Sequence, residues 1–416
     1  MEGLHRIGRI FGSVAERVRR WVIQPIRQSL FGAIVFWVVL ALFAFTLLGW
    51  LWGEGGLWSL DRWLTNWRSG SRGAEPLDLI KVSLTTIGGI GAVAYLIIKY
   101  RERAASERSD VDDKLLTAVQ QLGSTSPQVR IAGVYALADV ADTYRGTYRK
   151  RVVDILCGYL RTERGHWEAE GPVEPSVDAE SGRHYVTSDG AVESTILTVF
   201  RQHFRKAREG TTDYLRHKVV QEVGDDQLWC DCRIDLHGAT LTEMVELSGV
   251  TFDNVTDLRG ATFCNVVEFN NATFLAGVGF HDTIFISDVD FSNADFCGSV
   301  QFRNATFAGE TNFWNTAFKG FVVNFENATF STVAIFWKTL FSGITIFWGV
   351  NIVGKNGCDF DGATFNASLS ACRDPLGSIT FPPEFELNDD TGLPSGARWA
   401  RFKENGELVL DSPAEE

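Results

Sequence analysis

Between residues 236 and 365 a large apolar side chain returns every five and then every six residues. The stretch FRNATFAGETNF shows the pattern, with Phe302, Phe307 and Phe313. The track runs from Leu236 to Phe318 in alternating steps of five and six. It takes one step of seven to Phe325, resumes through Ile352, and ends with Phe360 and Phe365. Of its 24 sites, 19 are Phe, four Leu and one Ile, and two residues before each stands Ala, Val, Thr, Ile or Cys. No helix accommodates this, because residues five apart on a helix are turned by about 140° and cannot share a seam. A right-handed coiled coil with an 11-residue repeat fails for that reason, and because Phe, Thr, Val, Gly and Asn favour strands and turns.

A solenoid fits. Each step is one side of a coil, and the Phe and the small residue two before it point inward, since period-two spacing on an extended stretch shares a face. Each corner then needs a residue tolerant of the left-handed region. The five-residue steps supply Gly238, Gly249, Gly260, Asn271, Asp282, Asn293, Asn304, Asn315 and Asn327 at that place. Successive coils stack ring on ring at strand spacing. The seven-residue step predicts a bulged corner at Lys319, Gly320 and Phe321. Phe321 is expected to point outward, while Phe318 and Phe325 stay buried, because an extra residue within a side would invert every later side chain.

The runs F-x-N-A-T-F and L-x-G-A-T-L resemble pentapeptide-repeat proteins, and the resemblance covers Ile234 to about Phe365. It implies a right-handed quadrilateral β-helix, although the Phe-rich five/six form departs from the strict five-residue unit. The order of apolar segments, helices with VRIAGVYALADVAD, and repeat is similar to a bacterial membrane-bound architecture of that family. No catalytic residue comes with the resemblance, because the shared motif is a core motif.

The remaining chain divides by pattern. Residues 1–30 carry Leu4, Ile7, Phe11, Val14, Val18 and Trp21 at helical spacing among arginines, as a basic amphipathic segment suited to an anionic membrane surface. Residues 31–100 are read as a two-helix transmembrane hairpin. Its first span is 31–53; its second is 80–99, built on the uncharged run Val82–Ile98 between Lys81 and Lys99. Lys and Arg concentrate outside the 54–78 loop, so both termini are expected in the cytoplasm of a multi-pass cell-membrane protein. Residues 101–224 read as a small all-α, HEAT-like module with an acidic loop at about 163–190. The β-helix is assigned to 225–366 and a C-terminal cap or tail to 367–416. The whole is a transmembrane hairpin, an all-α module, then a right-handed β-helix.

For function, the sequence excludes more than it names. It lacks G-x-S-x-G, Walker A, H-E-x-x-H and EF-hand patterns, so no enzyme is expected, and no catalytic, cofactor-binding or metal residue is assigned. Cys230 and Cys232, with His237 beyond, come nearest to a metal pattern. One intervening residue is too few for a zinc knuckle, and reduced structural thiols are the better reading. Between Asp225 and Asp361, 17 Asp and Glu face six Lys and Arg, a net charge of −11 that disfavours direct nucleic-acid binding. The expected function is a membrane-tethered cytoplasmic scaffold or protein-interaction module. It would be held in the lipid bilayer by the hairpin, carry a protein partner on the β-helix, and have scope for a homo-oligomer. The alternative, implied by the resemblance, is an acidic DNA mimic that inhibits a DNA-binding enzyme such as a topoisomerase.

Overall fold

The 22-residue sum of four steps builds a four-sided coil. In the computed structural model, 25 short strands follow one another from Ile234, and each pairs in parallel with the strand one coil before it, one coil after it, or both. Thr251 and Phe252 lie beside Thr273 and Phe274, then beside Asp295 and Phe296. Four sheets result, three of six strands and one of seven. Side 1 starts at β3 (Ile234–Asp235), side 2 at β4 (Thr240–Leu241), side 3 at β5 (Val245–Glu246) and side 4 at β6 (Thr251–Phe252). The structure describes residues 43, 76–169, 183–208, 218–353, 357–369, 381, 385–402 and 408.

Every track residue is buried except Ile352, and so is every small residue two before it except Cys358. The rings form four columns. Within a column, centroids one coil apart are 4.6 to 5.4 Å apart with nearly parallel planes, as for Phe341–Phe365 and Phe269–Phe291. Between columns they meet edge to face, as for Phe325 and Phe336 at 90°. Thus each ring has offset-stacked neighbours along the axis and T-shaped neighbours across it, both favoured by the ring quadrupole. The inward threonines that replace Ala or Val keep their hydroxyls paired where a carbonyl is in reach; Thr283, Thr316 and Thr339 donate to Leu258, Phe291 and Phe313 oxygens, each at 2.8 Å.

The nine corner residues named from sequence all have positive φ, from 53° to 71°. Lys338 (56°), Gly349 (68°) and Gly362 (69°) extend the series. Neighbouring corners are laced by side-chain amides. Asn315 donates to Asn293 at 2.8 Å and Asn304 to Asp282 at 2.9 Å.

The first coil has no preceding strand; on side 4 the Cys230 carbonyl accepts the Asp253 amide at 2.9 Å, and elsewhere side chains take its place. Helices α2 (Pro127–Tyr144), α3 (Gly146–Arg161) and α4 (Gly190–Phe204) share one core through Leu137, Val140, Leu156, Ile196 and Phe200, and that core runs on into the coil. Arg164 donates to the Thr240 carbonyl at 2.6 Å, and Glu193 accepts the amides of Thr242 and Glu243 at 2.6 and 2.8 Å. The two are ion-paired at 2.6 Å with side chains 5% and 0% exposed. Arg205 donates twice to the Ser248 carbonyl. An edge that would otherwise invite another strand is closed. At the far end β27 (Arg398–Ala400) continues side 4 beyond β26 (Thr364–Asn366), and Phe381, Phe385 and Trp399 cover the last rings.

Leucines at 236, 241 and 247 in the first coil and 258 in the second leave this end slightly underfilled. An apolar cavity of about 20 Å³ lies there beneath Leu197 and Phe200 of α4. Within the stretch read as an acidic loop, β1 (Gly165–Ala169) and β2 (Arg183–Thr187) pair as antiparallel strands.

The expected transmembrane hairpin is not supported, and with it falls the assignment to a multi-pass place in the cell membrane. Among the described residues no helix is long and apolar enough to cross a membrane. The second expected span, 80–99, belongs to α1 (Pro76–Leu122), a 47-residue helix. Gly88, Gly89 and Gly91 dilute its apolar part, and charged residues such as Lys99, Arg101, Glu102 and Arg103 follow at once. The first expected span, 31–53, lies outside the described residues apart from Phe43, as does the basic segment 1–30. The chain divides into two units, 1–110 and 111–416. The β-helix and helices α2–α4 belong to the second.

Candidate interaction surface

With the inward positions spent on packing, anything the β-helix recognises must be read by the residues between them. Each strand offers two outward columns, the residue before the ring and the residue after it. Side 1 presents Asp235, Asp257, Arg259, Arg303 and Glu326; side 3 presents Glu246, Glu268, Asp290, Asp359 and Asp361; side 4 presents Asp253, Asp295 and Lys319. Side 2 differs. Its columns are Thr240, Thr262, Ile284, Thr306, Thr329 and Asn351, then Thr242, Cys264, Ile286, Ala308, Ser331 and Val353, with no charge among them.

The period slip resolves as one extra residue. Gly320 still lies directly over Gly298, whereas Val323 pairs with Val300, an offset of 23 instead of 22. The surplus is absorbed at the corner between sides 4 and 1, where Phe321 is 76% exposed while Phe318 and Phe325 are fully buried. The corner is tight. A Cβ on Gly320 would lie 2.1 Å from the Gly298 carbonyl oxygen, so only glycine lets the coils close there.

One cluster of charged groups lies at the start of side 1. Asp235, His237 and Asp257 gather within 4.8 Å, the one group among the described residues with the composition of a cation site. Its carboxylates are already taken. Arg259 grips Asp257 with two hydrogen bonds of 2.7 Å, and Arg233 stands 3.5 Å away. His237 meets Asp235 at 2.6 Å, and Arg161 of α3 reaches both residues. Arg259 hydrogen bonding holds the Asp257 carboxyl below the usual carboxylate range. Burial alone would raise Asp235, but the His237 hydrogen bonds and the arginine outweigh it and its pKa falls too. A cation would have to compete with three guanidinium groups, so the cluster reads as an ion-pair seam between α3 and the first coils.

The cysteines weighed from sequence do not join His237 in any such group among the described residues. Cys230 and Cys232 are buried free thiols, and burial pushes both up to about 12. The sequence reading missed the Arg164–Glu193 pair, whose members lie 29 residues apart without any shared motif.

Residues 236–284 and 269–317 match the family described as pentapeptide repeats (9 copies). No curated protein and no solved structure matches the chain.

Proposed function

The chain is a pentapeptide-repeat protein, and we propose that its β-helix is a non-catalytic scaffold that docks a protein partner on its outer surface. The observation that carries this reading is Phe321. An aromatic ring 76% exposed, on a rod that hides every other described phenylalanine of its repeat, costs apolar exposure with no packing return. Aromatic side chains at such places are the usual anchors of protein interfaces. The cluster that comes nearest to a reactive site, Asp235, His237 and Asp257, is taken up by ion pairs with Arg161, Arg233 and Arg259, so it lends no support to catalysis. The DNA-mimic alternative gains no separate support: the carboxylates of side 1 are interleaved with Arg259 and Arg303, and the acidic column of side 3, Glu246, Glu268 and Asp290, is broken by Asn312 and Ile335 before Asp359.

A photo-reactive phenylalanine analogue at position 321, expressed in the native cells, tests the proposal. The expected result is a discrete protein adduct at 321 that is absent when the same analogue replaces Glu310 on another corner. Identical adducts at both positions, or none at either, overturn it.

A further inference from the structure

We propose that side 2 is a self-association surface on which a second copy of this chain packs face to face. Charge selects it. The chain carries a net −13, and the outward columns of sides 1, 3 and 4 all hold charged side chains that face-to-face pairing would have to desolvate, acids predominating on side 3 and both signs present on sides 1 and 4. Side 2 alone offers twelve outward positions without a charge.

Its layout matches an interface. Ile284 and Ile286, 39% and 41% exposed, stand together on the third of six strands. Threonines 262 and 306 pair in register on either side of Ile284. Val353, 62% exposed, adds a second aliphatic point on the sixth strand, and apolar side chains among hydroxyls suit a small protein interface. The surface is flat because its strands stack in register. Two flat, uncharged copies related by a two-fold axis put residues near that axis beside their own counterparts, Ile286 against Ile286.

Size sets the strength. Six strands about 4.8 Å apart, carrying two columns about 7 Å apart, cover roughly 350 Å² per copy once side chains are included. A stable complex buries about 800 Å² per partner. The association is therefore weak, reversible and driven by concentration. It is independent of Phe321, which lies on the corner between sides 4 and 1.

Site-specific cross-linking of the full chain tests the proposal, with Cys264, Cys297 and Cys372 replaced by serine. Ile286→Cys is compared with Arg303→Cys on side 1 and Asp253→Cys on side 4, using a short bis-maleimide at about 1 and about 100 µM protein. All three positions face outward, and unchanged melting temperatures verify the fold. The expected result is a covalent dimer from Ile286→Cys at the higher concentration, roughly fivefold above either control, and abolished by adding Ile284→Asp. A yield at 286 no greater than at 253 or 303 overturns the proposal, whether all are high or all absent. So does a cysteine at 286 that a monofunctional maleimide cannot reach, since something else then covers the face.

Discussion

Phe307 and Phe321 are the same residue 14 positions apart, one fully buried and one 76% exposed, and replacing each by Asp isolates what the coil does with a ring. Phe307 stacks on Phe285 at 5.0 Å and on Phe330 at 4.8 Å, with Phe302 and Phe313 across the axis. Removing the ring forfeits about 1.5–3 kcal/mol of transfer free energy. The cavity left in a stack that cannot collapse along its axis brings the total to about 3–5 kcal/mol. A carboxyl placed there without a partner adds about 2 kcal/mol or more. The sum approaches the whole stability of a domain, about 5–15 kcal/mol, so Phe307→Asp should unfold the β-helix. Phe321→Asp should change stability by less than about 0.5 kcal/mol. Phe307→Leu belongs between them at about 1–1.5 kcal/mol, because the first coil already uses Leu241 in that column. Guanidinium unfolding of the full chain, followed by far-UV circular dichroism, measures all three. Equal midpoint shifts for the two Asp variants would refute the burial pattern and the four-sided register with it.

Three further outcomes are expected. Deleting Phe321 restores the unbroken 22-residue offset and should leave the melting temperature within a few degrees of the parent, whereas deleting Thr306 should abolish cooperative melting. Arg164→Ala strands the Glu193 carboxylate without its counter-ion and should cost about 3–5 kcal/mol in a thermal melt; Arg164→Met combined with Glu193→Gln should recover part of that loss, and no recovery would mean that packing, not charge, dominates the cap. Burial holds the Cys157, Cys230, Cys232 and Cys358 thiols up at about 12, so at pH 8 a maleimide should label exposed Cys297 and leave these four until the chain is denatured, as peptide mass spectrometry would read.

Much of the β-helix was legible because one residue type per step carries the packing. The inward tracks, the nine corner residues and the slip at Phe321 all follow from spacing alone. Lys338 was not legible, since lysine has no preference for the left-handed region and only its register places it there. The β1–β2 pairing hid in an acidic, Gly- and Pro-containing stretch whose paired ends, GHWEA and RHYVT, are too short to show a period. The cap pair Arg164 and Glu193 has no local signature at all, because what they satisfy is a missing strand. The hairpin expectation failed differently: it weighed the length of the uncharged runs more heavily than the glycines and the charged turn that follow. The neutrality of side 2 was present in the letters, yet it became visible only once four columns could be told apart.

Because each coil repeats the backbone of the one before it after 22 residues, length is a quantity this chain can change without redesign. Excising 284–305 would join Thr283 to Thr306, set Phe307 over Phe263, and leave both ends with the partners they already have. Duplicating the same block would add one storey. Such a rod is a ruler graduated in steps of about 4.8 Å, with fixed terminals and an adjustable number of divisions. The distance between whatever its two ends hold is then a heritable trait, tuned by unequal exchange within the repeat and not by substitution.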